Sequence, residues 1–432
     1  MFLRIQAACL LLAGQLPAAI LAQNPDSSLT RKADESIVVL GDSSRAVSED
    51  SVIALALGHS RRLQSLSANV DIAERELASS GSLPNPELRM GHRFMRNNYV
   101  DLEESRIGLR IRFPELGETA EEKERARTDL WERKVEKIRY QQDLTARVRR
   151  DFADVIAADR MVEMAKRKVD LLDRRIGMIE HLIQTGDRSV VYYMKAKTMR
   201  AQARNDYSRA VQKQGSARRQ LAVRTDLAID TPLADSPMPE PPNDLDQAVR
   251  IANLNRPETE LVRQQMELAV KQRNLERLRL LPWINYLQFS YNEDRTRARY
   301  WGEVSAGIDI PLFNWNIGNI RATNLAVRKR EARVEGVLEM IEEEVQSAYS
   351  LYRDLWLDWM NFKVSSEMDI RESQNVISRS SVYGTLRSDE VLELEMTIIE
   401  TQQLQVEKKY DLACALSELL YAMGVEKLQT PQ

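Results

Sequence analysis

The sequence contains an internal duplication, which restricts the chain to folds built from two equivalent halves. Pro114 and Pro311 lie 197 residues apart, and each ends a short segment of alternating apolar and polar residues. Gly186 and Gly384 lie 198 residues apart. Two further pairs recur at an offset of 198: Pro84 with Pro282, and Leu221 with Leu419. Recurrence at nearly one offset indicates an internally duplicated architecture.

The N-terminus differs in composition from everything that follows it. The stretch MFLRIQAACLLLAGQLPAAILAQ has a basic Arg4, an apolar middle and small residues before Gln23. This pattern predicts a secretory signal peptide at residues 1–22, cut after Ala22. The alternative is a buried N-terminal helix. Residues 23–47 are predicted to be a flexible periplasmic segment.

A proline-rich stretch separates the two halves of the mature chain. The sequence TPLADSPMPEPPND contains five prolines and is incompatible with a continuous helix. We therefore predict four segments in the mature chain. They are repeat 1 at residues 48–225, a linker at 226–244, repeat 2 at 245–424 and a C-terminal tail at 425–432. Each repeat reads as helix, strand, strand, very long helix, tight turn and helix.

The long helices dominate each repeat. From Glu118 to Thr185 the chain has no proline, its only glycine is Gly177, and apolar residues recur at helical spacing in a narrow seam. The same pattern runs from about Ile320 to Tyr383. At 1.5 Å per residue each helix would be roughly 100 Å long. The seam favours coiled-coil packing over the alternative of a solvated charged helix or a disordered segment.

Composition excludes two classes of protein. With 29% charged residues and no internal apolar run approaching the roughly 20 residues that a spanning helix needs, the chain is too polar for a helical membrane protein. A formal net charge of -3 does not suggest a nucleic-acid partner. No P-loop, nucleophile elbow or zinc motif is present, so we expect no enzymatic activity and no cofactor.

Four short segments alternate as strands with one apolar and one polar face. Each has about the 9–11 residues that cross a bilayer as a tilted strand. Four strands cannot close a barrel, and lipid does not tolerate an open sheet edge, so the sequence predicts a barrel shared among chains. Two chains would supply eight strands and three would supply twelve.

The polar positions of these strands are candidates for the wall of a pore. By alternation the lumen-facing residues are Arg89, Arg93, Arg110, Arg112 and Asp309. Four positive charges against one negative predict a basic lumen. The alternative is that some of these arginines lie at strand ends among lipid headgroups.

Taken in order, these motifs resemble the TolC family of bacterial outer-membrane efflux proteins. The resemblance rests on SEDSVIALALGHS, on the strand-ending FPELGE and IPLFNWNIG, and on the turns TGDRSVVYY and YGTLRSDEVLELE, and it covers nearly the whole mature chain. It implies a mainly α fold with a small transmembrane β part, as a homotrimer with a twelve-strand barrel and a twelve-helix tunnel. It also implies a passive outer-membrane exit duct that extends into the periplasm and exports small molecules, metal ions or proteins.

The resemblance also implies partners and sites. Besides outer-membrane lipid, the implied partners are a periplasmic adaptor protein and an inner-membrane pump. A pore constriction is implied at Asp389, Glu390 and Glu393, with Arg387 one place later than in the family pattern. The two glutamates share a helix face, and three copies would form a carboxylate ring. The alternative is an ordinary solvated helix start, where acidic residues favour the dipole.

The resemblance places the adaptor-docking tips at the glycine turns. These tips comprise Gly186, Val190, Val191, Tyr192 and Gly384. Packing between helix ends is the alternative role for the apolar members of this set.

Three other interpretations were weighed on the residues. The stretch MGHRFM brings Met90, His92 and Met95 together, a weak ligand set for a soft metal. A periplasmic adaptor also has long helical hairpins, but the duplication and the paired strands argue against that class. A purely structural coiled coil would leave the strands unexplained.

Overall fold

The computed structural model describes residues 46–96, 101–184, 190–310, 315–383 and 387–428. The predicted signal peptide, most of the segment 23–47, and the turn residues Gly186 and Gly384 lie outside this described part of the chain.

Twelve elements follow one another in two matching series. The first series is α1 (Glu49–His59), α2 (Arg61–Ser79), β1 (Glu87–Arg96), β2 (Asp101–Arg112), α3 (Glu118–Gln184) and α4 (Val190–Thr225). The second series is α5 (Leu245–Asn255), α6 (Pro257–Leu278), β3 (Trp283–Asp294), β4 (Arg299–Asp309), α7 (Ile317–Tyr383) and α8 (Ser388–Met423). The predicted fold class, mainly helical, duplicated and with four strands, is confirmed.

The lengths of the elements repeat as closely as their order. Helices α3 and α7 each have 67 residues, and α4 and α8 each have 36. At about 1.5 Å per residue, α3 and α7 are each roughly 100 Å long. None of the described helices is both long enough and apolar enough to cross a membrane.

The helices form a single layer in which α3 is internal and α7 is at an edge. Towards the sheet, the principal contacts give the order α2–α3–α6–α7, and away from it they give α4–α3–α8–α7. The short helices α1 and α5 lie against α3 and α4, and against α7 and α8, respectively. The layer therefore has two uncovered sides, one formed by α2 and α4 and the other by α7.

The sheet continues the same order. Its four antiparallel strands are arranged β1–β2–β3–β4, so that sequence neighbours pair and β1 and β4 are the edges. Two hairpins meet where β2 pairs with β3, with Leu109 opposite Phe289. One irregularity, between Ile284 and Tyr286, interrupts the β3–β4 ladder.

Two apolar cores near the middle of the layer are copies of each other. In the first half the core contains Leu144, Val148, Phe152 and Val155 of α3 with Leu221 of α4. In the second half, residues 197 or 198 positions later fill the same places: Ile341, Val345, Tyr349, Tyr352 and Leu419. The seam predicted from helical spacing is therefore the buried face of both long helices.

The two cores differ at the places where the second must hold the linker. Tyr349 and Tyr352 replace Phe152 and Val155. The Tyr349 hydroxyl donates to the Pro242 carbonyl at 3.0 Å, and the Tyr352 hydroxyl donates to the Pro239 carbonyl. Burial raises the pKa of Tyr352, which keeps its hydroxyl protonated as a donor. Proline residues have no backbone N–H group, so the carbonyl groups of this stretch need donors from elsewhere. The two tyrosine hydroxyls supply them and thereby anchor the linker.

Removing the Tyr352 hydroxyl is expected to loosen the linker. Tyr352→Phe leaves the Pro239 carbonyl without its donor in the interior, where such a loss costs about 1–3 kcal/mol. Denaturant unfolding should show this decrease, and limited proteolysis should cut faster within residues 232–242. Tyr207→Phe, on the partly exposed side of α4, is the matched control and should change neither. Equal behaviour of the two variants would contradict the anchoring role.

Candidate functional site

The sheet has one apolar face, and this face is exposed. Strand pairing places one row of apolar side chains directly across the four strands: Leu88, Leu109, Phe289 and Val304. The next row towards the hairpin ends contains Met90, Ile107 and Tyr291. Ile308, nearer the helices, is 59% exposed. A contiguous apolar surface of this size requires a partner other than water.

The apolar face ends in a polar row near the hairpin ends. His92 is opposite Ser105, and its Nδ1 lies 3.1 Å from the Ser105 hydroxyl oxygen. Glu293 is the cross-strand neighbour of Ser105 on the other side. Among the described residues, no group of three or more His, Cys, Asp or Glu side chains could hold a metal ion.

The opposite face of the sheet is a network of polar side chains. Arg106 Nε donates to Asn292 Oδ1 at 2.7 Å, and its Nη2 donates to Glu303 Oε2 at 3.3 Å. Arg110 Nε donates to Gln288 Oε1 at 2.9 Å. These contacts bind β2, β3 and β4 together through their side chains, in addition to the backbone ladder.

One aromatic ring on this face lies flat against the backbone of its neighbour. Tyr286 covers Gly307, and a Cβ at position 307 would be 2.3 Å from the ring. The Arg110 guanidinium lies 4.0 Å from the centre of the same ring. Only glycine leaves room for this stack, because the Tyr286 ring fills the space that a side chain at position 307 would need.

The structure places the predicted lumen residues on one face but changes the predicted charge balance. Arg89, Arg93, Arg110, Arg112 and Asp309 all lie on the polar face by strand register. The same face also carries a second set of charges: Arg106, Arg299, Glu87, Glu104, Asp294 and Glu303. Six positive and five negative side chains leave an excess of one, so the strongly basic lumen predicted from alternation is wrong for the described residues.

Several of these charges are paired across strands. Arg112 lies 2.7 Å from Glu87, and Arg93 lies 3.8 Å from Glu104. The prediction missed these ion pairs because it counted the arginines at the polar positions and left out the glutamates beside them. The alternation of Glu87 with Arg89, and of Glu104 with Arg106, is visible in the sequence and was the signal available.

At the far end of the helix layer, α8 begins with a cap in which the Glu390 carboxylate accepts hydrogen bonds from Arg387. The Arg387 backbone N–H donates to Glu390 Oε2 at 2.9 Å, and Arg387 Nη2 donates to Glu390 Oε1 at 3.0 Å. Arg387 also lies 4.0 Å from Asp389. These hydrogen bonds, the backbone one first, lower the pKa of Glu390 below its ordinary value of 4.5. Glu390 therefore has the structural role at a helix start that the sequence left open as an alternative.

Glu393 is also paired within the chain. Arg175 of α3 donates to it at 3.1 Å, and Arg174 donates to Glu395 of α8 at 3.1 Å. Lys168 continues the series with Glu400 at 3.0 Å. This ladder between α3 and α8 was not predicted, since nothing in the sequence shows that residues more than 200 positions apart are neighbours.

The residues that follow the first turn are exposed apolar side chains. Val190, Val191, Tyr192 and Met194 all begin α4 with large exposed areas. Tyr193 is more covered, and its hydroxyl donates to Glu180 of α3 at 2.7 Å. Val190, Val191 and Tyr192 therefore lie at the surface of a helix end.

Comparison with solved structures supports the same fold. CusC, from a study of folding and transmembrane channel formation, matches with a TM-score of 0.67 at 17% identity, over 87% of this chain and 92% of that one. The open-state outer-membrane channel MtrE of Neisseria gonorrhoeae matches with a TM-score of 0.64 at 16% identity, over 87% and 89%. No family model and no curated relative matches the sequence.

A third similar structure has the longest coverage of these. The outer-membrane protein VceC of Vibrio cholerae matches with a TM-score of 0.64 at 14% identity, over 87% of this chain and 96% of that one. The chain therefore has the fold of outer-membrane channels over most of its length, and the resemblance to the TolC family drawn from its motifs is confirmed at the level of the fold.

The cap at Glu390 predicts a pH dependence at the start of α8. A carboxyl whose folded pKa is lowered stabilises the folded state above its unfolded pKa and loses this effect as the pH falls through the folded value. Hydrogen exchange of the first-turn amides, corrected for intrinsic rates, should therefore show protection that declines below about pH 4.5. Glu390→Gln should lack this decline, whereas Glu407→Gln, further along α8, should retain it. A decline that persists in Glu390→Gln would contradict the role of the cap.

Proposed function

We propose that the chain is one subunit of a trimeric outer-membrane channel, the passive exit duct of a tripartite efflux or type I secretion system. The supporting observation is a four-stranded sheet with an exposed apolar face and two edge strands that are unpaired on their outer sides within the described residues. Strands of 10 to 12 residues have the length that crosses a bilayer. Three copies supply twelve strands, and closing the ring pairs every edge.

The helix layer has the matching property. One uncovered side is α7, and the other is formed by α2 and α4. The closure that pairs β1 with β4 therefore also brings these helices together. Twelve helices would then surround a tunnel that continues the barrel through the periplasm. The polar face of the sheet, with its paired arginines and acids, forms the wall of the barrel lumen.

The similar structures support this proposal. MtrE is described as an outer-membrane channel, and CusC is described in terms of transmembrane channel formation. By analogy the chain resides in the outer membrane of a bacterium, extends into the periplasm and exports small molecules, metal ions or proteins. A periplasmic adaptor would dock at the tips that contain Val190, Val191 and Tyr192, and would connect the duct to an inner-membrane pump. Gly186 and Gly384, the other members of the predicted tips, lie outside the described residues. The pump supplies the energy.

The alternative of a periplasmic adaptor protein fits these observations less well. An adaptor does not need a sheet with a large apolar exposed face, and the residues of that face would be exposed to water in the periplasm. The channel proposal gives them lipid as their solvent.

Lipid contact is tested at β4. Ile308→Arg puts a charge on the apolar face and should cost about 2–4 kcal/mol if that face meets the bilayer core. Heat-modifiable oligomers in outer-membrane fractions should decrease sharply. Ser305→Arg, on the polar face of the same strand, is the matched control and should assemble. Gly307 is unsuitable as a control because Tyr286 fills the space above it. Equal assembly of both variants would refute the lipid-facing assignment.

The constriction is tested by the selectivity of the open channel. We propose that Asp389, Glu390 and Glu393 line the narrow end, with Arg387 and Arg175 as their partners. Glu390→Gln combined with Glu393→Gln should lower the cation selectivity of the channel in planar bilayers, because carboxylates near a pore attract cations. Glu407→Gln is the control. Unchanged selectivity in a variant that still conducts would remove these carboxylates from the pore.

A further inference from the structure

The contact between α3 and α6 joins the two halves within one chain. Arg139 Nε donates to Glu258 Oε1 at 2.7 Å, and Gln265 Nε2 donates to Glu132 Oε1 at 3.0 Å. Near the sheet, Gln272 Nε2 donates to Glu121 Oε1 at 3.3 Å. A helix of the first half thus packs in a defined register against a helix of the second.

Equivalent positions in the duplicated halves can be assigned from burial. Leu130 of α3 and Val327 of α7, 197 residues apart, are both buried. Leu66 of α2 and Val262 of α6, 196 residues apart, are buried as well. In this part of the layer, α3 and α6 are internal, whereas α7 and α2 are the two uncovered sides. A second copy that repeated the internal contact would therefore place its α2 on α7.

The apolar residues of the two uncovered helices coincide under this equivalence. In the internal contact, Thr128 is 3% exposed, and its hydroxyl donates to the Gln264 carbonyl at 3.5 Å. The equivalents of Thr128 and Gln264 are Leu325 and Ala68. Leu325 is 63% exposed in the single chain, and Ile72, one turn beyond Ala68, is 54% exposed. Two large apolar side chains are thus exposed at positions that the internal contact would bring together.

The charges of the uncovered sides are complementary, with the opposite sign to the internal pair. The equivalents of Arg139 and Glu258 are Gly336 and Arg62. Glu335 and Glu339, exposed beside Gly336 on α7, supply the negative charge, and Arg61 next to Arg62 adds to the positive charge. No ion pair of Glu335, Glu339, Arg61 or Arg62 occurs within the described part of the chain.

A second charge match lies near the sheet. The equivalents of Glu121 and Gln272 are Gly318 and Glu76. Arg321 is exposed one turn after Gly318, within reach of a glutamate at the position of Glu76. The charge on α7 is negative near Glu339 and positive near Arg321. Because the charges on α2 must match this order, they fix both the direction and the register of the second helix.

We propose that a second copy of this chain docks its α2 on α7 in the register of the internal α3–α6 contact. Leu325 then packs against Ala68 and Ile72, and Glu335 and Glu339 face Arg61 and Arg62. This docking rests on the proposed trimer and adds the residues that set its register.

The register is tested by disulfide cross-linking of the full-length protein in membranes. Leu325→Cys with Ala68→Cys should give covalently linked oligomers on oxidation. Leu325→Cys with Ser67→Cys is the matched control, because Ser67 is adjacent to Ala68 at the same level of α2 but points about 100° away around the helix. The protein without introduced cysteines controls for the half-buried native Cys414. Efficient linking of the control pair, or none of the first pair, would overturn the register.

Amine cross-linking of the same membranes separates this proposal from the proposed function. Trimers without the Leu325–Ala68 disulfide would mean that the channel stands and the register is wrong. Monomers alone would overturn both. A charge exchange gives an independent result: Glu339→Arg should lower the yield of trimer severalfold, and addition of Arg61→Glu should restore it. A double variant no better than Glu339→Arg would contradict the pairing.

Discussion

Every backbone N–H and C=O group of a strand in lipid must be hydrogen-bonded, and this requirement governs how the chain can function. Among the described residues of one chain, β1 and β4 are each paired on one side only. Water disfavours the apolar face, and lipid disfavours the open strand edges. In the proposed channel, the pairing of β4 with β1 of another copy would satisfy both conditions, so the oligomer would be part of the fold.

The duplication makes closure geometrically simple. Since both halves have the same elements in the same order, the contact between halves serves as a template for the contact between copies. The halves nevertheless differ where their tasks differ. Tyr349 and Tyr352 anchor the linker, a task that Phe152 and Val155 do not have. Arg139 and Glu258 join the halves, whereas the equivalent positions carry Gly336 and Arg62 with acidic neighbours on α7.

The sequence was sufficient for features that depend on local periodicity. Helical spacing identified α3 and α7 because apolar residues such as Val148 and Val345 belong to a seam whose middle part is buried in both helices. Alternation identified the strand faces because successive side chains point to opposite sides.

The remaining features depend on residues that are distant in the sequence. The stack of Tyr286 on Gly307 requires the register of β3 and β4, including the irregularity next to Tyr286. The pairing of Arg175 with Glu393 requires the contact between α3 and α8. The charge balance of the polar face was predictable in principle, and the omission of Glu87 and Glu303 led to the error. Neighbouring charges of opposite sign are as much a part of a pore wall as its arginines.

The packing of α7 changes along its length. Towards the sheet and at the middle of the layer, Val327 and Tyr352 are buried within the chain. Further along, its described contacts with α8 include polar ones, among them the Ser366–Gln405 hydrogen bond at 2.7 Å. In this part the apolar side chains lie on the uncovered side: Leu357, Met360, Val364 and Met368.

Comparison with α3 shows what this exposed stripe lacks. Leu171 of α3 is buried against α4 and α8, and Ile179 is buried against α4. Their equivalents, 197 residues later, are Met368 and Val376, and both are exposed in the single chain. Among the described residues, the lower part of α7 has α8 on one side and no neighbour that corresponds to α4 beside α3. In the proposed closed ring, α4 of the next copy would be that neighbour and would cover the exposed side of α7.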